Sequence, residues 1–256
     1  MSDCHVVKTP IEVNAKSQLS SVICKENESE EYMKRVPYLE AVRSLLYISQ
    51  ISRPDIAYTV NTLSSYCKNP QKQHWSAVKR VMRYLKGTIN NKLTYNKKQS
   101  HELIGYSDAD WAKNPNDRKS ITGSVFTKCG GAITWFSKKQ RNVALSTVEA
   151  EYIALSFTCQ EAICLRELSK EIARTDKDET ICIKCNSTGA IATAKNYVTN
   201  QRTKHIDVRH HFVREKIEEK VICVNYLQTS EMLADIFTKA LPHSKHKILS
   251  ERLGLS

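Results

Sequence analysis

Apolar residues recur at helical spacing through most of the first hundred positions and at strand spacing through the next forty. "YLEAVRSLLYISQ" sets Leu39, Val42, Leu45, Leu46 and Tyr47 on one stripe, and "RPDIAYTVNTLSSYC" starts a second helix with Pro54 near its first turn. A third helix follows Asn69-Pro70, with Trp75, Val78, Val81, Met82 and Leu85 on one face and Lys79, Arg80, Arg83 and Lys86 around it. The first thirty residues are polar and unperiodic apart from "VKTPIEV", which predicts an arm or irregular lead-in. The polar stretch "YNKKQSHE", residues 95–102, ends the helical pattern, so the chain is expected to divide into a helical segment over 1–97 and a second unit over 98–256.

In that second unit "LIGYSDADW" alternates as a strand, and "SITGSVFTKCGGAITWFSKK" reads as a hairpin turning at Gly130-Gly131. "STVEAEYIALSFTCQEAICLRELSKEI" is a long amphipathic helix. The strand "TICIKC", a short helix after Asn186, a polar helix around "TKHIDVRHHFVREKIEEK", the strand "VICVNYL" and a closing helix "EMLADIFTKAL" follow. Three strands and then alternating helices and strands predict an α/β fold with a mixed sheet, antiparallel at the hairpin and parallel where helices cross over. That order matches the ribonuclease H topology, in which carboxylates converge from the first strand, the first long helix, the end of the fourth strand and the last helix.

Composition adds a partner. The 39 Lys and Arg against 27 Asp and Glu give a formal +12 without any shortage of acids, which points to a basic surface facing a polyanion as one reading and a merely basic protein as the other. Nine scattered cysteines, the lack of a signal-peptide pattern and the lack of a long apolar run fit a reducing, intracellular setting and no membrane. Cys182 and Cys185 form a CxxC inside the apolar "ICIKC", and no second pair completes a zinc site, so both are read as core strand residues.

The candidate chemistry lies in the acids. Asp108 and Asp110 of "YSDADW" share a strand face if the extended period holds, although an Asp-x-Asp at a strand end also suits an Asx turn. Ser146 and Glu149 have capping-box spacing, which gives Glu149 a structural job, whereas Glu151 falls on the edge of an apolar stripe where an unpaired carboxylate is costly. Asp235 stands among Leu233, Ala234, Ile236 and Phe237, as a site residue or as a solvated one. Grouped, such acids suit two Mg²⁺ or Mn²⁺ ions, hard cations that prefer charged oxygen ligands and act together on a phosphodiester.

The stretches "VPYLEAVRSLLYISQISRPDIAYTV", "HWSAVKRVMRYLKGT", "YSDADWAKNPNDRKSITGSVF", "ITWFSKKQRNVALSTVEAEYIAL", "AIATAKN", "RTKHIDVRHHFVRE" and "LADIFTKAL" resemble the C-terminal part of the Pol polyprotein of copia-type LTR retrotransposons, over nearly the whole chain. The resemblance implies thumb-like and connecting helices from the end of a reverse transcriptase, then a ribonuclease H domain from about residue 100. It implies a metal-dependent endonuclease acting on the RNA of RNA:DNA hybrids, with Asp108, Glu151 and Asp235 as catalytic metal ligands and Glu149 as fallback. The family's polymerase signature, Tyr/Phe-Val-Asp-Asp, is missing, so no polymerase activity is expected, and the rest of a reverse transcriptase is a further partner. The fourth acid position, in a pattern near Cys-Asp-Asn-x-x-Ala-Ile, falls on Asn186, which implies weakened or lost cleavage. Asp176 and Asp178 precede the strand and are expected to stay away from the site, and the histidines near 205–211 are expected to pack rather than catalyse. Lys79, Arg80, Arg83, Lys86, Lys204 and Arg209 are the expected phosphate contacts, and a non-catalytic nucleic-acid-binding remnant is the alternative function.

Overall fold

The computed structural model describes residues 4–20, 27–112, 117–174, 179–195 and 204–256. Five helices come first: α1 (Ala15–Ser20), α2 (Asn27–Lys34), α3 (Tyr38–Ile51), α4 (Ala57–Ser64) and α5 (Lys72–Gly87), with a 3-10 turn at Pro54–Ile56. Strands β1 (Ile104–Asp110), β2 (Ile121–Lys128) and β3 (Gly131–Lys139) lead to the long helix α6 (Thr147–Ala173). Then come β4 (Ile181–Cys185), α7 (Thr188–Lys195), α8 (Lys204–Glu218), β5 (Ile222–Tyr226), a 3-10 turn at Leu233–Phe237 and α9 (His243–Arg252). Asp176 and Asp178 lie outside the described residues.

The strands form one sheet in the order β3-β2-β1-β4-β5, antiparallel between β1, β2 and β3 and parallel from β1 through β4 to β5. This is the ribonuclease H-like mixed sheet that the element order predicts. Because side chains alternate along each strand, the sheet feeds two cores. Phe126, Ile183 and Val224 pack against Tyr152, Leu155 and Cys159 of α6, Ala190 and Ala194 of α7 and Val213 of α8. On the other face Val125 and Ala132 meet Leu233, Phe237, Leu249 and Leu253.

Three local expectations need correction. The hairpin turns one residue early: Lys128 pairs with Gly131, and the two turn residues, Cys129 (φ 53°) and Gly130 (φ 77°), both take positive φ. A two-residue turn with that backbone matches the strand twist, and the cysteine accepts the left-handed conformation to keep it. "EMLADIFTKAL" is not a helix but two tight 3-10 turns, Thr229–Glu231 and Leu233–Phe237, and the closing helix is α9. Finally, the lead-in is part of the core: Ile11, Ala15 and Leu19 are buried, and the Leu19 carbonyl lies 2.9 Å from His74 Nε2.

The helical segment packs against the sheet unit. Ala57 joins the core of Val125 and Phe237, Trp135 Nε1 donates to the Ser49 carbonyl at 2.7 Å, and residues 92–94 hydrogen-bond to 254–256. At the junction Arg53 forks onto Asp55 with bonds of 2.9 and 2.7 Å, and the Tyr84 hydroxyl donates to the same carboxylate at 2.6 Å. His246 of α9 meets the Asp55 carbonyl at 3.1 Å. Among the described residues no helix is long and apolar enough to cross a membrane.

Candidate active site

Strand register builds the centre of the site. Ser107 of β1 pairs with Cys185 of the parallel β4, so the next residues on each strand, Asp108 and Asn186, stand side by side. The Asn186 Nδ2 group donates to Asp108 Oδ1 at 3.3 Å. On its other flank Asp108 is opposite Gly123 of β2. A Cβ on Gly123 would lie 2.7 Å from Thr238 Cγ2 and 2.9 Å from the Ala234 carbonyl, so glycine is what lets the 233–239 segment close over the sheet. That approach brings Asp235 to the site although it does not lie on a helix of the expected kind.

Glu151 comes from the start of α6. Ser146 caps that helix, accepting from the Glu149 N–H at 3.1 Å, and the Glu149 carboxylate accepts from the Leu145 N–H at 2.7 Å. Glu149 therefore has the capping role its spacing predicts, which leaves Glu151 for the site. The start of α7 is drawn to α6 by Gly189, where a Cβ would lie 2.8 Å from Val148 Cγ2. Asp110 is also buried, one strand period beyond Asp108; burial first, and the Asp110 charge second, push the Tyr58 hydroxyl pKa up to about 12.

Two lysines complete the cluster. Lys239 Nζ lies 2.7 Å from Asp235 Oδ1 and 3.2 Å from Asp108 Oδ2. Lys245 Nζ pairs with the other Asp235 oxygen, and Thr238 Oγ1 donates to Asp108 Oδ2. Both aspartates are almost completely buried. Burial, partly offset by Lys239, raises the Asp108 pKa; burial and then Asp108 push Glu151 up to about 9. Burial works against the Lys239 charge, but Asp108 and Asp235 hold its pKa above the ordinary lysine value. Neither lysine was read from the sequence as a site residue. Lys239 had a signal, its i,i+4 spacing from Asp235; Lys245, from α9, had none.

Two oxygen acceptors of the cluster are of the kind a hard divalent cation prefers. Glu151 Oε2 and Asn186 Oδ1 are both buried acceptors without a hydrogen-bond donor, next to the Asp108 carboxylate. Among the described residues no three His, Cys, Asp or Glu side chains gather as a metal-binding group, so an ion here would have to draw on the amide oxygen of Asn186 as well.

The expected nucleic-acid contacts are dispersed. Lys79 is exposed on α5, but Arg80 is paired with Glu12 at 2.6 Å and Lys86 donates to the Cys4 carbonyl at 3.0 Å, so these two hold the lead-in. Arg83 is half-buried on the same helix. The side chains of Lys204, His205 and His210 lie outside the described residues. Arg209 of α8 lines a basic cleft of about 220 Å³ with Lys138, Lys139, Arg141 and Thr122. Phe157 forms its floor, with Lys138 Nζ 5.5 Å and the Arg209 guanidinium 5.4 Å from the ring centre. Cys182 and Cys185 lie in β4 with free thiols.

No family model matches the chain. The retrovirus-related Pol polyprotein from transposon TNT 1-94 of Nicotiana tabacum is 41% identical over 256 residues, all of this chain and 19% of the relative. The secreted RxLR effector protein 161 of Plasmopara viticola is 47% identical over 133 residues, 52% of this chain and 94% of that protein. Among solved structures, LC11-RNase H1 in complex with an RNA/DNA hybrid covers 54% of this chain and 94% of its own, with 16% identity and a TM-score of 0.40. The chain thus spans about a fifth of the tobacco polyprotein. With its whole length matched in sequence to transposon Pol polyproteins, the chain belongs to the copia-type family of retrovirus-related Pol polyproteins.

Proposed function

We propose that this part of Pol carries a ribonuclease H-type endonuclease site for the RNA strand of RNA:DNA hybrids, weakened by Asn186. The observation that carries the reading is the convergence of Asp108, Glu151, Asn186 and Asp235, from four separate elements, with two buried acceptors left without donors. Asp108, Glu151 and the Asn186 carbonyl would hold Mg²⁺ or Mn²⁺, which when bound polarises a phosphoryl oxygen and makes water acidic. Asn186 supplies an oxygen but no charge. Changes to groups that only support metal ligands already lower affinity or activity ~10 to 100-fold, and loss of a ligand's own charge is expected to do at least as much.

The chain's own cations do the positioning. Lys239 and Lys245 hold the Asp235 carboxylate from both oxygens, while Thr238 fixes one oxygen of Asp108. The cleft of Lys138, Arg141 and Arg209 offers charge to a phosphate backbone, and Phe157 offers an aromatic face. Other Pol segments are the expected partners.

Cleavage of a labelled RNA:DNA hybrid with Mg²⁺ or Mn²⁺, by the native protein and its Asn186→Asp variant, tests the reading. The variant is expected to cleave at least ~10-fold faster; equal rates would refute the role given to Asn186. A second reading, a non-catalytic nucleic-acid-binding remnant, is favoured by the salt bridges that already occupy Asp108 and Asp235. Salt-sensitive hybrid binding with no cleavage by either protein would establish it.

A further inference from the structure

The acids are not equally available. Around Asp235 both carboxylate oxygens are taken, one by Lys239 and the other by Lys245. Lys239 also reaches Asp108, at 3.2 Å from Oδ2 and 3.4 Å from Oδ1, so its ammonium bridges the two aspartates as a second cation would. Elsewhere in the cluster the pattern reverses: Glu151 Oε2 and Asn186 Oδ1 have no donor at all. Both oxygens of Asp235 have a cation in direct contact, and these two acceptors have no donor in contact.

We infer that the site takes one divalent cation, held by Asp108, Glu151 and Asn186, and that the Lys239 ammonium is a built-in cation in place of a second ion. The inference rests on the metal-dependent reading above and narrows it. Charge balance agrees: with all three carboxyls ionised, as metal binding requires, they and the two ammonium groups leave one net negative charge, which a single dication more than neutralises. A second dication would have to enter an already positive site and displace Lys239 from two buried aspartates. The Asn186 amide fits the same arrangement. Its Nδ2 group donates to Asp108, which a carboxylate at this position cannot do, and its Oδ1 stays free to accept.

The position of Lys239 is built by the backbone. Gly123 admits the Leu233–Phe237 turn against the sheet, and Thr238, whose hydroxyl donates to Asp108 and contacts the Asp235 carbonyl at 3.3 Å, directs the next residue back over the carboxylates. Lys239 keeps only 26% of its side-chain surface exposed.

The test counts ions rather than turnover. Mn²⁺ alone is titrated into the native protein, Lys239→Met and Lys239→Arg, with calorimetry for stoichiometry and electron paramagnetic resonance for bound metal; circular dichroism checks each fold. One ion in the native protein, two in Lys239→Met and one in Lys239→Arg is the expected result. Two ions in the native protein overturn the inference and leave the metal-dependent reading standing. One ion in Lys239→Met, or two in Lys239→Arg, also overturns it, since the ammonium would not then be what excludes the second ion. If no ion binds to any of the three proteins, the metal-dependent reading falls together with the inference. The native count alone can refute the idea should Lys239→Met fail to fold.

Discussion

Glu151 offers a direct measurement of how strongly the metal-free site resists its own charge. Burial first and Asp108 second move its pKa from 4.5 up to about 9. A carboxyl whose pKa rises on folding binds more protons in the folded chain than in the unfolded one, so stability falls as pH rises between those two values. At pH 7 the unfolded chain gains from ionising Glu151 over roughly 2.5 pH units while the folded chain keeps it neutral, a difference of about 3 kcal/mol. Replacing Glu151 by the isosteric, uncharged Gln removes this penalty.

In a chelator, Glu151→Gln is therefore expected to be the more stable protein by about 3 kcal/mol at pH 7, equivalent to a melting point roughly 6 to 12 °C higher for a chain of this size. The advantage should shrink to under about 1 kcal/mol at pH 5 and grow by about 1.4 kcal/mol per pH unit up to pH 8. Asp108, raised in the same direction by burial, remains in both proteins, so the difference isolates Glu151 together with its effect on Asp108. Lys239 stays charged across this range in the folded and unfolded chain and adds no slope. Urea unfolding at pH 5, 6, 7 and 8 measures the difference. Parallel stability curves for the two proteins would refute the reasoning, because they would mean that Glu151 is ionised and solvated in the folded chain.

Two further substitutions test the frame around the site. Gly123→Ala puts a methyl group within 3 Å of Thr238, Ala234 and Phe237, and should cost about 1–3 kcal/mol in urea unfolding while loosening Lys239 from Asp108; an unchanged midpoint would show that the 233–239 segment is not held against β2. Asp55→Ala strips the Arg53 guanidinium of its buried partner and should cost about 3–5 kcal/mol, with Asp55→Asn less harmful. A loss below about 1 kcal/mol would mean that the Arg53, Asp55 and Tyr84 side-chain network does not hold the junction together.

Much of the architecture was legible because regular elements carry their period in the sequence. The alternation in "LIGYSDADW" sets Asp108 and Asp110 on one strand face, the capping spacing of Ser146 and Glu149 separates Glu149 from Glu151, the family resemblance singles out Asp108, and parallel pairing of β1 with β4 puts Asn186 beside it. The 233–239 segment was less legible because its tight turns have no long period, and its apolar residues mimic a helix. That misreading hid the chemistry as well. On an exposed helix, Asp235 and Lys239 four residues apart would be an ordinary surface pair worth a few tenths of a kcal/mol at most. Here a glycine on a different strand, Gly123, lets the turn sink onto the sheet, buries Asp235, and carries the lysine across to Asp108. The sign of the charge beside Asp108 therefore depends on a close backbone approach between residues more than a hundred positions apart, and counting carboxylates along the sequence could not have revealed it.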